Sequence, residues 1–184
     1  MNYLSLDLEM AQPSGKIIQI GACIGNIITG EILEQKSWFV SINEDLSPFI
    51  TTLTGITDYD LQTWGWTLVE ASQELFCMAK QYDCMVNPIT WGGGDSKELK
   101  DQLQIEYDKT IIGKVFDWPF GRRWVDVKTV FQFRQLARGE KIQAGLAKAL
   151  TKCGMSFKGR KHNALDDATN TFLLAHHLLK EMKP

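Results

Sequence analysis

The order of apolar patterns predicts an α/β fold: a mixed sheet, three antiparallel strands followed by parallel ones, flanked by helices. Three observations lead there. Apolar residues alternate or cluster in YLSLDLEM, KIIQIGACIG and EILEQKSWFVSI, which are parted by the turn-like QPSG and NIITG. Helical and strand patterns then alternate along the rest of the chain. The length of 184 residues suits one domain, 1–184, since a chain of that size buries roughly 70% of its unfolded surface. No internal repeat, low-complexity segment or linker interrupts it.

Taken in order, the first three strands form an antiparallel meander, and NEDLSPFITTLTGITDYDL reads as a loop region. TLVEASQELFCMAKQY predicts an amphipathic helix, with Leu68, Ala71, Leu75, Ala79 and Tyr82 at helical spacing. MVNPITW reads as a buried strand ended by Gly92, Gly93 and Gly94, and DSKELKDQLQIEY follows as a helix. RRWVDV reads as a strand, KTVFQFRQLA and IQAGLAKALTKC as helices, and ALDDATNTFLLAHHLLKEM as a long closing helix. At about 100° per residue, Leu165, Ala168, Phe172, Ala175, Leu179 and Met182 define the core stripe of that last helix. Asp167 falls on the flank of this arc, between Leu174 and Leu178, whereas Asp166 lies outside it near His177.

Composition narrows the function. Twenty basic against 22 acidic residues leave a net charge of −2, which argues against bulk attraction to nucleic acid, so any such binding rests on a local patch or on bound metal ions. The four cysteines, Cys23, Cys77, Cys84 and Cys153, form no C-x-x-C pair and fit reduced thiols in a cytoplasmic protein. A structural zinc is not expected. The N-terminus enters a strand pattern at once, and no apolar run approaches the ~18 residues of a membrane span. A soluble, intracellular chain without a membrane partner is expected.

The carboxylates carry the chemistry. Asp7 and Glu9 stand two apart on a strand and project from one face, while Leu4, Leu6 and Leu8 project from the other. They read either as a solvated face or, if the first strand is central, as buried acids that cost several kcal/mol unless paired or metal-bound. Asp95 follows three glycines at a strand-to-helix junction, and Glu98 three residues later completes a capping-box pattern. A plain N-cap and a ligand both remain open there. WGGGD matches neither a P-loop nor a dinucleotide fingerprint, so its glycines suggest only close backbone approach. His162 precedes the last helix, in the loop ahead of Asn163 as cap, free either to lie in solvent or to swing over the carboxylates. Together, four carboxylates and one histidine make an oxygen-rich site for hard divalent cations, Mg²⁺ or Mn²⁺. Two such ions roughly 3.5 to 4 Å apart clamp the attacking and leaving oxygens of a phosphodiester displacement.

The motifs LDLEM, TWGGGD and HNALDDA, with histidine and aspartate five apart, resemble those of the DEDDh family of 3'-to-5' exonucleases, over nearly the full chain. The resemblance implies a ribonuclease H-like fold, with Asp7, Glu9, Asp95 and Asp167 as ligands of two divalent cations, Mg²⁺ or Mn²⁺, and His162 as general base. It implies release of nucleoside 5'-monophosphates from DNA or RNA 3' ends. Proofreading exonucleases, ribonuclease T and oligoribonucleases are relatives of this kind. Met10, after the glutamate, departs from the small residue of many members and matches the DLEM of oligoribonucleases. LTGIT resembles the family's loop beside the terminal nucleotide, which makes Met10, Leu53 and Ile56 candidate contacts. Lys158, Arg160 and Lys161, in SFKGRKH, are candidate phosphate contacts. FDWPFGRRW interleaves aromatics with Arg122 and Arg123 and reads either as a stacking surface or as a turn pinned by buried Trp118 and Trp124. Asp126 reads as a helix cap rather than a fifth ligand. The rival class is a non-catalytic nucleic-acid-binding or assembly module on the same fold. Self-association into a homo-oligomer is left open.

Overall fold

The computed structural model describes residues 1–110, 117–142 and 145–182. Among them the chain forms a five-stranded sheet in the order β3-β2-β1-β4-β5. β1 (Asn2–Met10), β2 (Ile17–Asn26) and β3 (Ile32–Phe39) are the expected antiparallel meander. β4 (Ile89–Thr90) then pairs parallel to β1, and β5 (Val125–Asp126) parallel to β4. β1 is therefore central, and its two faces are buried differently. Leu4, Leu6 and Leu8 enter a cluster with Leu68, Ala71, Leu75 and Met78 of α3 (Leu68–Gln81) and with Leu99 and Leu103 of α4 (Asp95–Thr110). The opposite face is covered by α7 (Ala164–Glu181), whose Ala168, Phe172, Leu174 and Leu178 pack with Cys23 and Ile89. The same cluster takes in Val127 and Phe131 of α5 (Val127–Ala137) and Leu146, Ala149 and Leu150 of α6 (Leu146–Lys152).

β2 makes room for α7. Its glycines at 21 and 25 lie under that helix: a Cβ on Gly21 would overlap the Ala164 carbonyl, and one on Gly25 the Phe172 ring. With Cys23 between them on the same face, they form a shallow trough in which α7 settles close to the backbone.

Several expectations change. The stretch read as loop after β3 contains α1 (Pro48–Thr54) and α2 (Asp58–Trp64). Ser47 caps the first, Pro48 opens it and Gly55 ends it, while Thr57 and Asp60 form a capping box on the second. The strand expected over MVNPITW shrinks to two residues, because Pro88 has no N–H for a ladder and Met85 and Val86 are exposed. That expected over RRWVDV is likewise two residues. α6 begins at Leu146, and Gln143 and Ala144, in the stretch read as its start, lie outside the described residues, as does Phe116 of FDWPFGRRW. In α7 the core stripe is rotated toward Leu174 and Leu178, leaving Leu165, Ala175 and Leu179 half-buried and Met182 exposed at the C-cap. Asp167, seven residues before Leu174, sits squarely on the inward side. Trp118 and Trp124 are half-buried and stacked at 6.2 Å, with Phe120 as the buried member of their cluster and Arg122 and Arg123 exposed.

Candidate active site

The C-terminal half of β1 and the first turn of α7 meet over Gly21, which pairs with Asp7 across the β1–β2 ladder. One step further along, Gln19 lies opposite Glu9, and its Oε1 accepts from the Ala164 N–H at 3.0 Å. This buried amide fastens the start of α7 to the sheet beside Glu9. The ladder shifts register between Glu9 and Met10, so the strand bends away just past the acids. Asn163 caps α7, its side chain accepting from Asp166 N–H at 3.3 Å.

Asp7, Glu9, Lys161, His162 and Asp167 line one cleft of about 360 Å³, walled by Leu8, Trp91, Leu146 and Phe157. Ligand atoms of Glu9, His162 and Asp167 all lie within 4.8 Å of one another. His162 adopts a left-handed backbone, φ 59°, which costs a non-glycine residue roughly 1–2 kcal/mol. Its N–H donates to Asp167 Oδ2 at 2.8 Å, and this bond is what the turn gains in return. Asp95 lies outside that tight group, at the start of α4, close enough for its charge to act on Asp7 and Glu9. The capping box expected around it does not form. Asp95 is the first helical residue, and the Gly94 carbonyl accepts the first helical N–H bond, from Glu98. Of the three glycines only Gly92 needs to be one, with φ 104°; Gly93 and Gly94 face open space. Asp126 is the cap expected of it: it accepts from Thr129 N–H and also from Gly92 N–H at 3.0 Å, which fixes the glycine turn.

The electrostatics are those of crowded acids. Burial, then the charges of Asp95, Asp167 and Glu9, hold the Asp7 carboxyl well above the usual carboxylate range. Burial pushes Glu9 up to about 7, with Asp167 and Asp95 adding to it. Burial likewise lifts Asp95 to about 7, partly offset by its own backbone N–H. Asp167 is raised by burial and restrained by the His162 N–H. Among the described residues none of these four carboxylates forms an ion pair with lysine or arginine. Buried, mutually repelling oxygen donors without an organic counter-charge fit a hard divalent cation.

The substrate-side candidates separate. Met10 and Leu53 are half-buried, while Ile56 is 3% exposed and packs with Ala11, Ile18, Leu46, Ile50 and Leu61, supporting its loop from beneath. Lys158, Arg160 and Lys161 are exposed on the strap before α7, and only Lys161 lines the cleft. Sequence reasoning missed Gln19, Gly21 and Asn170. The first two share a strand face with small residues at alternate positions, a signal that was legible. Asn170 is fully buried in α7 and takes the Lys158 N–H at 3.0 Å while donating to the Lys158 carbonyl at 2.8 Å, a pairing 12 residues away.

No protein-family profile matches the chain. It is 26% identical over 184 residues to ERI1 exoribonuclease 2 of Mus musculus, taking in 91% of this chain and 26% of that protein. It is 28% identical over 173 residues to 3'-5' exoribonuclease 1 of Homo sapiens, with 90% of this chain and 47% of that protein. The chain thus spans between about a quarter and a half of these relatives' length. Its fold matches the nuclease domain of 3'hExo, a DEDDh family member bound to rAMP, with a TM-score of 0.80 at 24% identity, covering 98% of this chain and 92% of that one. The chain is thus similar in sequence to these exoribonucleases and shares its fold with that DEDDh nuclease domain.

Proposed function

We propose that the protein is a metal-dependent 3'-to-5' exonuclease, hydrolysing the terminal phosphodiester of a nucleic-acid strand and releasing a nucleoside 5'-monophosphate. The observation that carries this reading is the convergence of Asp7, Glu9 and Asp167 with the His162 ring in one cleft, with no ion pair from lysine or arginine to the acids among the described residues. Asp7, Glu9 and Asp167 would hold two divalent cations, Mg²⁺ or Mn²⁺, with Asp95 contributing from the α4 end. When bound, such cations polarise phosphoryl oxygens and acidify a water. The His162 ring accepts a proton from the attacking water as its oxygen bonds to phosphorus, and the bond to the 3'-oxygen of the penultimate nucleotide breaks, that oxygen taking a proton from solvent to become the new 3'-hydroxyl. Its left-handed backbone and the bond to Asp167 hold the ring at the cleft mouth. Trp91 and Phe157 offer apolar walls, and Lys161 a phosphate contact. The relatives are named as exoribonucleases, which makes RNA the first substrate class in this reading. No helix of the described residues is long and apolar enough to cross a membrane. All four cysteines are free, in keeping with the cytoplasmic setting that belongs to the same proposal.

The test compares 5'-labelled single-stranded RNA, single-stranded DNA, duplexes and dinucleotides, each with Mn²⁺ and with chelator. The expected result is a ladder shortening one nucleotide at a time, only with metal, and severely slowed by a 3'-phosphate. Early internal fragments would indicate an endonuclease, and binding without turnover a non-catalytic module.

A further inference from the structure

The strap Lys158–His162 is pinned to α7 along its length. Asn170 holds both main-chain groups of Lys158, Asp166 Oδ2 accepts from the Arg160 N–H at 2.8 Å, and Asp167 Oδ2 from the His162 N–H at 2.8 Å. Gly159, at φ 82°, lies so close to the Asp166 carboxylate that a Cβ would overlap it. The Arg160 side chain leaves this strap and crosses to α1. Its Nη2 donates to the Thr52 carbonyl at 3.2 Å, in the last turn, where a helix leaves carbonyls without helical partners. Its Nη1 occupies the place a Cβ on residue 55 would need. Gly55 closes α1 in the left-handed region, φ 77°, with its N–H on the Thr51 carbonyl at 2.8 Å. One guanidinium thus joins the strap bearing His162 to the end of α1, which bears Leu53 and leads to Ile56, and the glycine there leaves it the space.

We propose that Arg160 is a positioning residue, holding the His162 strap and the end of α1 with the turn to Ile56 at a fixed separation, so that the grip on a terminal nucleotide and the approach of the imidazole are set together. This rests on the exonuclease reading above for its kinetic consequence, though not for the link itself. It differs from a phosphate contact, because the guanidinium is directed at a backbone carbonyl.

The test uses Arg160→Met and Gly55→Ala, singly and together. Steady-state kinetics on a short single-stranded RNA with Mn²⁺ are paired with hydrogen exchange over 50–57 and 157–163 in the nucleic-acid-free protein. Arg160→Met is expected to lower kcat about tenfold through misplacement of reacting groups, with KM and its salt dependence little changed, and to raise exchange in both segments. Gly55→Ala should act in the same direction with the added strain of alanine at φ 77°, and the double variant should be no worse than Gly55→Ala alone, as for two changes that break one link. A raised KM with a flattened salt dependence and unchanged kcat would make Arg160 a phosphate contact and overturn the proposal. Unchanged exchange over 50–57 in Arg160→Met would overturn it too. If the unaltered protein releases no nucleotide, the exonuclease reading fails, and the exchange result alone decides whether Arg160 joins the strap to the end of α1.

Discussion

Asp167 in the first turn of α7 and Glu181 in its last are partly buried carboxylates on the same helix, yet their surroundings treat them oppositely. Glu181 accepts from Arg134 Nε at 2.6 Å and Nη2 at 3.0 Å, with Arg138 at 3.5 Å and His177 at 3.3 Å. The Arg134 bonds, chiefly, hold its carboxyl down to about 2. Asp167 has the His162 N–H and charges of its own sign around it, and beside it Glu9 is pushed up to about 7. The groove around Glu181, between α5 and the end of α7, is the larger, at about 640 Å³ against about 360 Å³. Size is therefore a poor guide to chemistry here. At Glu181 the charges are already matched within the chain, and the pair joins α5 to α7. At the other end no lysine or arginine among the described residues pairs with the acids, an arrangement suited to an external cation.

The largest effect expected from breaking this contrast is at Asp7. Asp7→Asn should abolish metal-dependent cleavage, while the thermal unfolding midpoint in chelator holds or rises, because one member of a repelling cluster is neutralised. A drop of several degrees in chelator would mark Asp7 as structural.

Next, His162→Ala should lower turnover by roughly 10² to 10⁴ with little change in Mn²⁺ affinity, as for a general base that is not a ligand. Asp167→Ala should weaken Mn²⁺ binding in calorimetric titration. Equal loss of affinity in both variants would refute the division of roles.

A smaller effect separates the two ends by pH. Asp7, Glu9 and Asp95 bind protons more readily in the folded chain than in the unfolded one. In chelator their stabilising contribution is therefore complete below the ordinary carboxylate range and is lost as pH rises to about 7. Glu181 has the opposite sign: its contribution is present above the ordinary glutamate value and is lost as pH falls toward about 2. Denaturant titrations at stepped pH should show the decline toward pH 7 flattened in Asp7→Asn and unaltered in Glu181→Gln.

The smallest effect is that of Glu181→Gln at neutral pH: a loss of on the order of 1 kcal/mol, with cleavage rate unchanged. A large loss of activity there would mean that the two ends of α7 are not independent.

Much of this was legible in the residues. The alternation in YLSLDLEM places Leu4, Leu6 and Leu8 on one face and Asp7 and Glu9 on the other, and the helical arc of α7 turns Asp167 inward. The caps at Asn163 and Asp126 follow from residue type and position. Even α1 and α2 carry local signals, in Ser47-Pro48 and Thr57-x-x-Asp60. These features depend on contacts within a few residues, and such contacts are written in the order of the chain.

Other features depend on partners far apart in sequence. Gln19 reaches Ala164, Gly21 admits the start of α7, and Arg160 reaches Thr52. Pro88 stops β4 on one side, but the partners of β4 and β5, with Ser5 of β1 opposite Ile89 and the pairs Ile89–Val125 and Thr90–Asp126, are set by the sheet. By itself the sequence determined which residues carry the acids, the histidine and the alternation that aims them. Only the tertiary structure decided that Glu9, His162 and Asp167 converge within 4.8 Å while Asp95 stands aside at the end of α4, because that separation depends on how closely α7 settles on β2, and a trough made by two missing side chains is visible only once the helix lies in it.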